Sequence, residues 1–266
     1  MRNKLGFTLA EVLITLVIIG VIAAITVPTL IAKHQKEQFA IRAKETYSII
    51  ATGFKQALAK DGVTLLEDTS LAKSIAGETT TGSGQENFRK EFSKVFKVMS
   101  GEQRGNLSEE SVMNIQYKTL NGKTTLTPKS ESWFEFRQIF NLVNGSIAYV
   151  GMYKVPRNCV RSKETIKEAG GHLYQYIGWV AFDTNGVKGP NQFGRDLFST
   201  VISNDGNVYP NWGKDYIICE LDSNIESDSW RGNNSHNCNI DSTDSYFKQG
   251  MSCLARLMDE GWEMKY

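Results

Sequence analysis

Residues 7 to 32 form an unbroken apolar run, FTLAEVLITLVIIGVIAAITVPTLIA, with one charged residue, Glu11. About twenty apolar helical residues cross the hydrocarbon core of a bilayer, so this run is long enough to span one. Arg2 and Lys4 precede it. Their charge favours a cytoplasmic N-terminus and puts the rest of the chain across the membrane. A secretory signal peptide is a poor fit, because its apolar core is shorter and Leu30-Ile31-Ala32 makes a weak cleavage site. A plain single-pass anchor explains everything except Glu11. A carboxylate in such a helix costs about 2.5–3.5 kcal/mol on insertion scales, and Leu or Ile would serve an anchor better.

Gly6-Phe7-Thr8-Leu9-x-Glu11 followed by the apolar run resembles the cleavage and methylation signature of the type IV pilin and type II secretion pseudopilin superfamily. The resemblance covers residues 1 to about 58. It implies that a membrane aspartyl protease, the prepilin peptidase, cuts after Gly6 and methylates the new amino terminus of Phe7. It also implies other pilin or pseudopilin subunits as partners and an assembly platform in the bacterial cytoplasmic membrane. The globular part would lie in the periplasm or outside the cell. Glu11 lies four residues from Phe7, about one helical turn. In a filament it would pair with the amine of a neighbouring subunit, a head-to-tail contact that grows into a fibre. Gly20 and Pro28 match positions where pilin helices bend, although membrane helices tolerate both residues anyway.

After Lys33, Phe39, Ala43, Tyr47, Ile50, Phe54 and Leu58 recur every three or four residues, which predicts an amphipathic continuation to about Lys60 with Asp61-Gly62 as its stop. One helix from Phe7 to Lys60 would be roughly 80 Å long at 1.5 Å per residue. The expected organisation is a leader (1–6), a transmembrane and assembly helix (7–32), its amphipathic extension (33–60) and an exported globular domain (61–266).

In that domain Phe88, Phe92, Phe96 and Met99 form a second helical stripe, flanked by polar stretches at Gly77–Gln85 and Gly101–Glu110 that read as loops. From Trp133 the pattern changes to strands. WFEFRQIFNLV and SIAYVGMYKV flank Asn144-Gly145, a hairpin signal. YQYIGWVAFD (174–183), LFSTVIS (197–203) and Val208-Tyr209 follow, with Asp205-Gly206 as a turn. One sheet face is expected to bury Phe134, Phe136, Ile139 and Trp179 or their alternates. Asp244–Asp259 reads as a helix ended by Gly261. The fold class is therefore α+β and pilin-like: a long, partly transmembrane N-terminal helix on an antiparallel sheet in two layers, with helical insertions and a C-terminal helix.

Residues 183–196, DTNGVKGPNQFGRD, resemble a loop of pseudopilin-like proteins, some of which bind calcium in this region. Asp183, Asn185, Asn191 and Asp196 offer hard oxygen ligands to Ca2+. The other reading is a long turn held by its own Asx side chains. The loop lacks the EF-hand spacing, since Lys188 stands where that loop needs glycine.

The four cysteines, Cys159, Cys219, Cys238 and Cys253, include no CxxC pair, which disfavours zinc and suits disulfides in an exported domain. Three pairings are open, and a link among the last three is favoured. The net charge of +1 gives no reason to expect nucleic acid. No GxSxG, HExxH or GxxxxGK[ST] motif occurs, and His34, His172 and His236 stand apart from any nucleophile set, so an enzyme is not expected. The functional expectation is a filament subunit of a type II secretion pseudopilus or a type IV pilus-like fibre. The alternative is a single-pass anchored binding module, calcium-dependent or not, that never polymerises.

Overall fold

The computed structural model describes residues 8–80, 84–99, 109–128, 138–157, 176–211, 238 and 250–266. The chain divides into two compact units, residues 1–38 and 39–266. Helix α1 (Leu9–Asp61) contributes to both.

In the first unit, α1 displays Leu9, Leu13, Ile14, Val17, Ile18, Ile25 and Leu30 to the outside on every face. Water does not tolerate so large an apolar surface, whereas a bilayer does. By length and composition this helix can cross a membrane. Its threonines are made compatible with that setting by bonding backward to the backbone. Thr15 Oγ1 donates to Val12 O (2.9 Å), Thr26 Oγ1 to Ile22 O (2.9 Å) and Thr29 Oγ1 to Thr26 O (2.8 Å). Helical assignment runs unbroken through Gly20 and Pro28. Pro28 has no N–H to give to the carbonyl of Ala24, so the ladder loses one bond there.

In the second unit the stripe read from sequence becomes a buried seam. Ala40, Ala43, Thr46, Ile50, Phe54, Ala57 and Leu58 are buried, and Phe39 and Tyr47 pack partly buried beside them. After α1 come a 3₁₀ turn (Leu66–Asp68), α2 (Ser70–Lys73), α3 (Glu86–Val95) and α4 (Glu109–Met113). A small hairpin follows, β1 (Tyr117–Lys118) with β2 (Thr125–Leu126). The main sheet has five antiparallel strands in sequence order: β3 (Gln138–Asn141), β4 (Ile147–Arg157), β5 (Tyr176–Asp183), β6 (Leu197–Ser203) and β7 (Val208–Pro210). Helix α5 (Cys253–Asp259) closes the order.

The Asn144-Gly145 hairpin forms between β3 and β4. Leu142 N donates to Ser146 O (2.8 Å) and Gly145 N to Leu142 O (2.9 Å), so the loop has three residues, and Gly145 takes the left-handed position at φ +85°. The C-terminal stop is also as read. Gly261 (φ +70°) donates to Met258 O, and Trp262 N reaches Leu257 O at 2.7 Å, which satisfies two carbonyls at the end of α5. That helix begins at Cys253 and is shorter than the 244–259 expectation; residues 244–249, with Phe247, lie outside the described residues. Trp133, Phe134 and Phe136 lie outside them as well.

The two-layer expectation needs correction, because both faces of the sheet are covered. Successive side chains alternate faces. Ala148, Val150, Met152, Val180, Phe182 and Ile202 join one cluster with α1 and α3. Tyr149, Ala181 and Leu197 join a second cluster with Val112, Ile115, Tyr117, Leu126 and Phe193. All seven residues of β6 are accordingly buried. Sequence alone concealed the second cover because its pieces, α4 and the β1–β2 hairpin, are too short to show periodicity. On the first face, Phe92 stacks on Phe140 (3.9 Å) and on Phe96 (4.0 Å). A Cβ at Gly53 would collide with the Phe96 ring, so glycine there lets α1 approach this cluster. The polar stretch Gly77–Gln85 is pinned where it is described. Thr80 N donates to Met152 O (2.9 Å), and the buried Gln85 amide bridges Ala76 O (3.0 Å) and Thr79 O (3.1 Å).

Candidate functional site

Two of the places singled out by sequence hold carboxylates with specific donors. The first is the start of α1. Thr8 N and Thr8 Oγ1 both donate to Glu11 Oε2 at 2.8 Å, and Glu11 N donates back to Thr8 Oγ1 (3.3 Å). This is a reciprocal capping box, Thr-x-x-Glu, satisfying donors that a helix start leaves open. Glu11 remains exposed, and among the described residues its hydrogen bonds from Thr8 use Oε2 alone. Thr8 was missed as a functional residue, although the Ser/Thr-x-x-Glu pattern before an apolar run is a sufficient signal for it. Gly6 and Phe7, the processing residues read from sequence, lie outside the described residues.

The second place is the loop 183–196, between β5 and β6. Asp183 and Asp196 are buried, and Asn185 and Asn191 are half-buried. Asp183 Oδ1 accepts from Asn185 N (3.0 Å) and Gly186 N (2.9 Å), and its Oδ2 accepts from the Tyr117 hydroxyl (2.7 Å). Asp196 accepts from Asn191 N (2.7 Å) and Gln192 N (2.6 Å), one on each oxygen. Burial, then the nearby Asp196 charge, push the Asp183 carboxyl well above the ordinary carboxylate range, and burial pushes Asp196 up to about 6. Burial likewise drives the Tyr117 phenol well above its usual value. Asn185 Nδ2 donates to Gly189 O (3.2 Å). The structure thus brings all four predicted side chains into one loop.

Their hydrogen bonds close the loop on itself. Each of the four carboxylate oxygens accepts from an N–H or O–H group, the donors being Tyr117, Asn185, Gly186, Asn191 and Gln192, and the Asn185 side chain also bonds Asp196. Among the described residues no group of three His, Cys, Asp or Glu side chains is placed to hold a metal. Among the described residues, two buried oxygens of this loop have no hydrogen-bond partner, Thr184 Oγ1 and Asn185 Oδ1.

Cys238 and Cys253 form a disulfide, a link among the last three cysteines as favoured from sequence. Cys159 and Cys219 lie outside the described residues, as do His172 and His236. His34 sits exposed on α1, where its ring meets Gln38 Nε2 at 2.9 Å.

An apolar, membrane-length helix continuing into an antiparallel α+β domain defines a membrane-anchored chain with a pilin-like arrangement. Residues 1–27 match the prokaryotic N-terminal methylation motif, which supports a type IV pilin-like family. No curated protein and no solved structure matches the chain.

Proposed function

We propose that this chain is a structural subunit of a type IV pilus-like filament, and within that class of a type II secretion pseudopilus. It is cleaved after Gly6, methylated at Phe7 and assembled through α1. The observation that carries the reading is the methylation motif at residues 1–27 running directly into an apolar helix with one carboxylate. That motif implies a prepilin peptidase and neighbouring pilin subunits as partners, and its family is structural rather than catalytic. The DxNGxxGPN loop favours the secretion branch by resemblance.

Assembly follows from electrostatics. Cleavage creates an amine near the start of α1. In the isolated subunit Glu11 is held by Thr8, and in a filament one carboxylate oxygen stays available to the amine of a neighbour. In low dielectric such a pair is strongly favoured over two unpaired charges. Its position sets the axial register between subunits.

Intact mass of the protein purified from its own membrane tests the reading. Loss of residues 1–6 together with one added methyl group is expected. A full-length mass, or cleavage near Ala32, would remove it.

A further inference from the structure

We propose that the loop 183–196 closes without a cation and is held instead by the C-terminal segment that the Cys238–Cys253 disulfide anchors. This inference is independent of the filament reading.

The four residues that a calcium site would use act here as clamps on their own loop. Asp183 gathers the N–H groups of Asn185 and Gly186, and Asp196 gathers those of Asn191 and Gln192. Asn185 ties Gly189 O. With its Nδ2 turned toward them, the Asn191 amide donates to Gly186 O (3.1 Å) and Lys188 O (3.3 Å), a further pair of bonds across the loop.

The second half of the loop is gripped from outside. On one side Lys118 N donates to Asn191 O (2.8 Å), and Phe193 N donates to Lys118 O (2.9 Å). Gln192 Nε2 reaches Thr119 O (3.1 Å) and Leu120 O (2.7 Å). On the other side lies the C-terminal segment. Gly194 has φ +76°, and a Cβ there would sit 2.5 Å from Cys253 Sγ and 2.9 Å from Cys253 Cβ. A Cβ at Gly250 would come within 3.0 Å of Phe193. The Tyr266 hydroxyl donates to Gly194 O (2.8 Å). The loop backbone therefore lies directly against the disulfide, with no side chain between them.

Hydrogen exchange on the detergent-solubilised full chain tests both halves of the inference. In EGTA and in millimolar calcium, the amides of Gly186, Asn191 and Gln192 should exchange at the same rate, and the melting midpoint should not move. A micromolar calcium site would instead raise the midpoint by roughly 8–16 °C. Reduction by dithiothreitol, which gives two electrons to the bond and leaves as its own cyclic disulfide, should accelerate exchange at Asn191 and Gln192 by at least about tenfold. The amides of β4 and β5 should hardly change. The double variant Cys238→Ser, Cys253→Ser should reproduce this. If that variant fails to fold, Gly194→Ala, with the disulfide intact, should loosen the same amides. Calcium-dependent protection of the loop overturns the first half, and unchanged exchange after reduction or in Gly194→Ala overturns the second.

Discussion

Glu11 and Asp183 are both carboxylates that accept backbone and hydroxyl hydrogens, yet they stand in opposite situations. Glu11 is exposed at the first turn of a helix, with one oxygen engaged by Thr8. Asp183 is fully buried with both oxygens engaged by residues of its own domain. The first is open to something outside the chain, and the second is enclosed among donors of its own domain. Carboxylate chemistry alone does not mark a functional site; what matters is which lone pairs remain available.

The largest effect should come from removing the available one. Glu11→Leu removes the one charged residue of the apolar run, so the subunit should reach the membrane at least as well as the natural protein. Filament assembly, followed by shearing and electron microscopy or by secretion, should be abolished. Normal filaments from this variant would sink the pairing role and leave an anchored module.

A smaller effect is expected at Asp183, and two substitutions there sharpen the contrast. Asp183→Ala strands the N–H groups of Asn185 and Gly186 and the Tyr117 hydroxyl in a buried site, and should destabilise the domain by about 3–5 kcal/mol in denaturant melts. Asp183→Asn should cost under about 1.5 kcal/mol. Burial already pushes this carboxyl toward its neutral form. The amide oxygen can keep the two backbone donors, and the Tyr117 hydroxyl can turn to Tyr149, whose oxygen lies 2.9 Å away. If Asn proves as damaging as Ala, the negative charge itself holds the loop, and the cation-free account loses its basis.

The legibility of these two regions from sequence differed for physical reasons. Long-period signals survived folding. The apolar run became α1, the stripe of Ala43, Ile50, Phe54 and Leu58 became its buried seam, and the strands ending at Asp183 and starting at Leu197 fell where alternation placed them. Short elements did not announce themselves. Tyr117 sits in a two-residue strand, yet it packs the second face of the sheet and donates to Asp183, an interaction across 66 positions that no local pattern encodes. The loop was legible as a set of oxygen-bearing side chains. Whether those oxygens face a cation or N–H groups depends on backbone conformation, and composition is silent on it.

The smallest effect belongs to Thr8, and it decides how Glu11 acts. Thr8→Ala removes the hydroxyl that donates to Glu11 and accepts from Glu11 N, but keeps the Thr8 N–H contact. Loss of such a cap is worth about 1 kcal/mol at the helix start. Hydrogen exchange of the first turn should quicken by roughly fivefold, and filaments should still form. Glu11→Gln is the counterpart. Glutamine serves in a capping box as well as glutamate does, so the first turn should stay protected, but the charge that would meet a neighbouring amine is gone. Pairing between subunits predicts assembly in Thr8→Ala and none in Glu11→Gln. If the order is reversed, Glu11 matters because it starts its own helix, and the register of the filament must be set by the apolar surface of α1 instead.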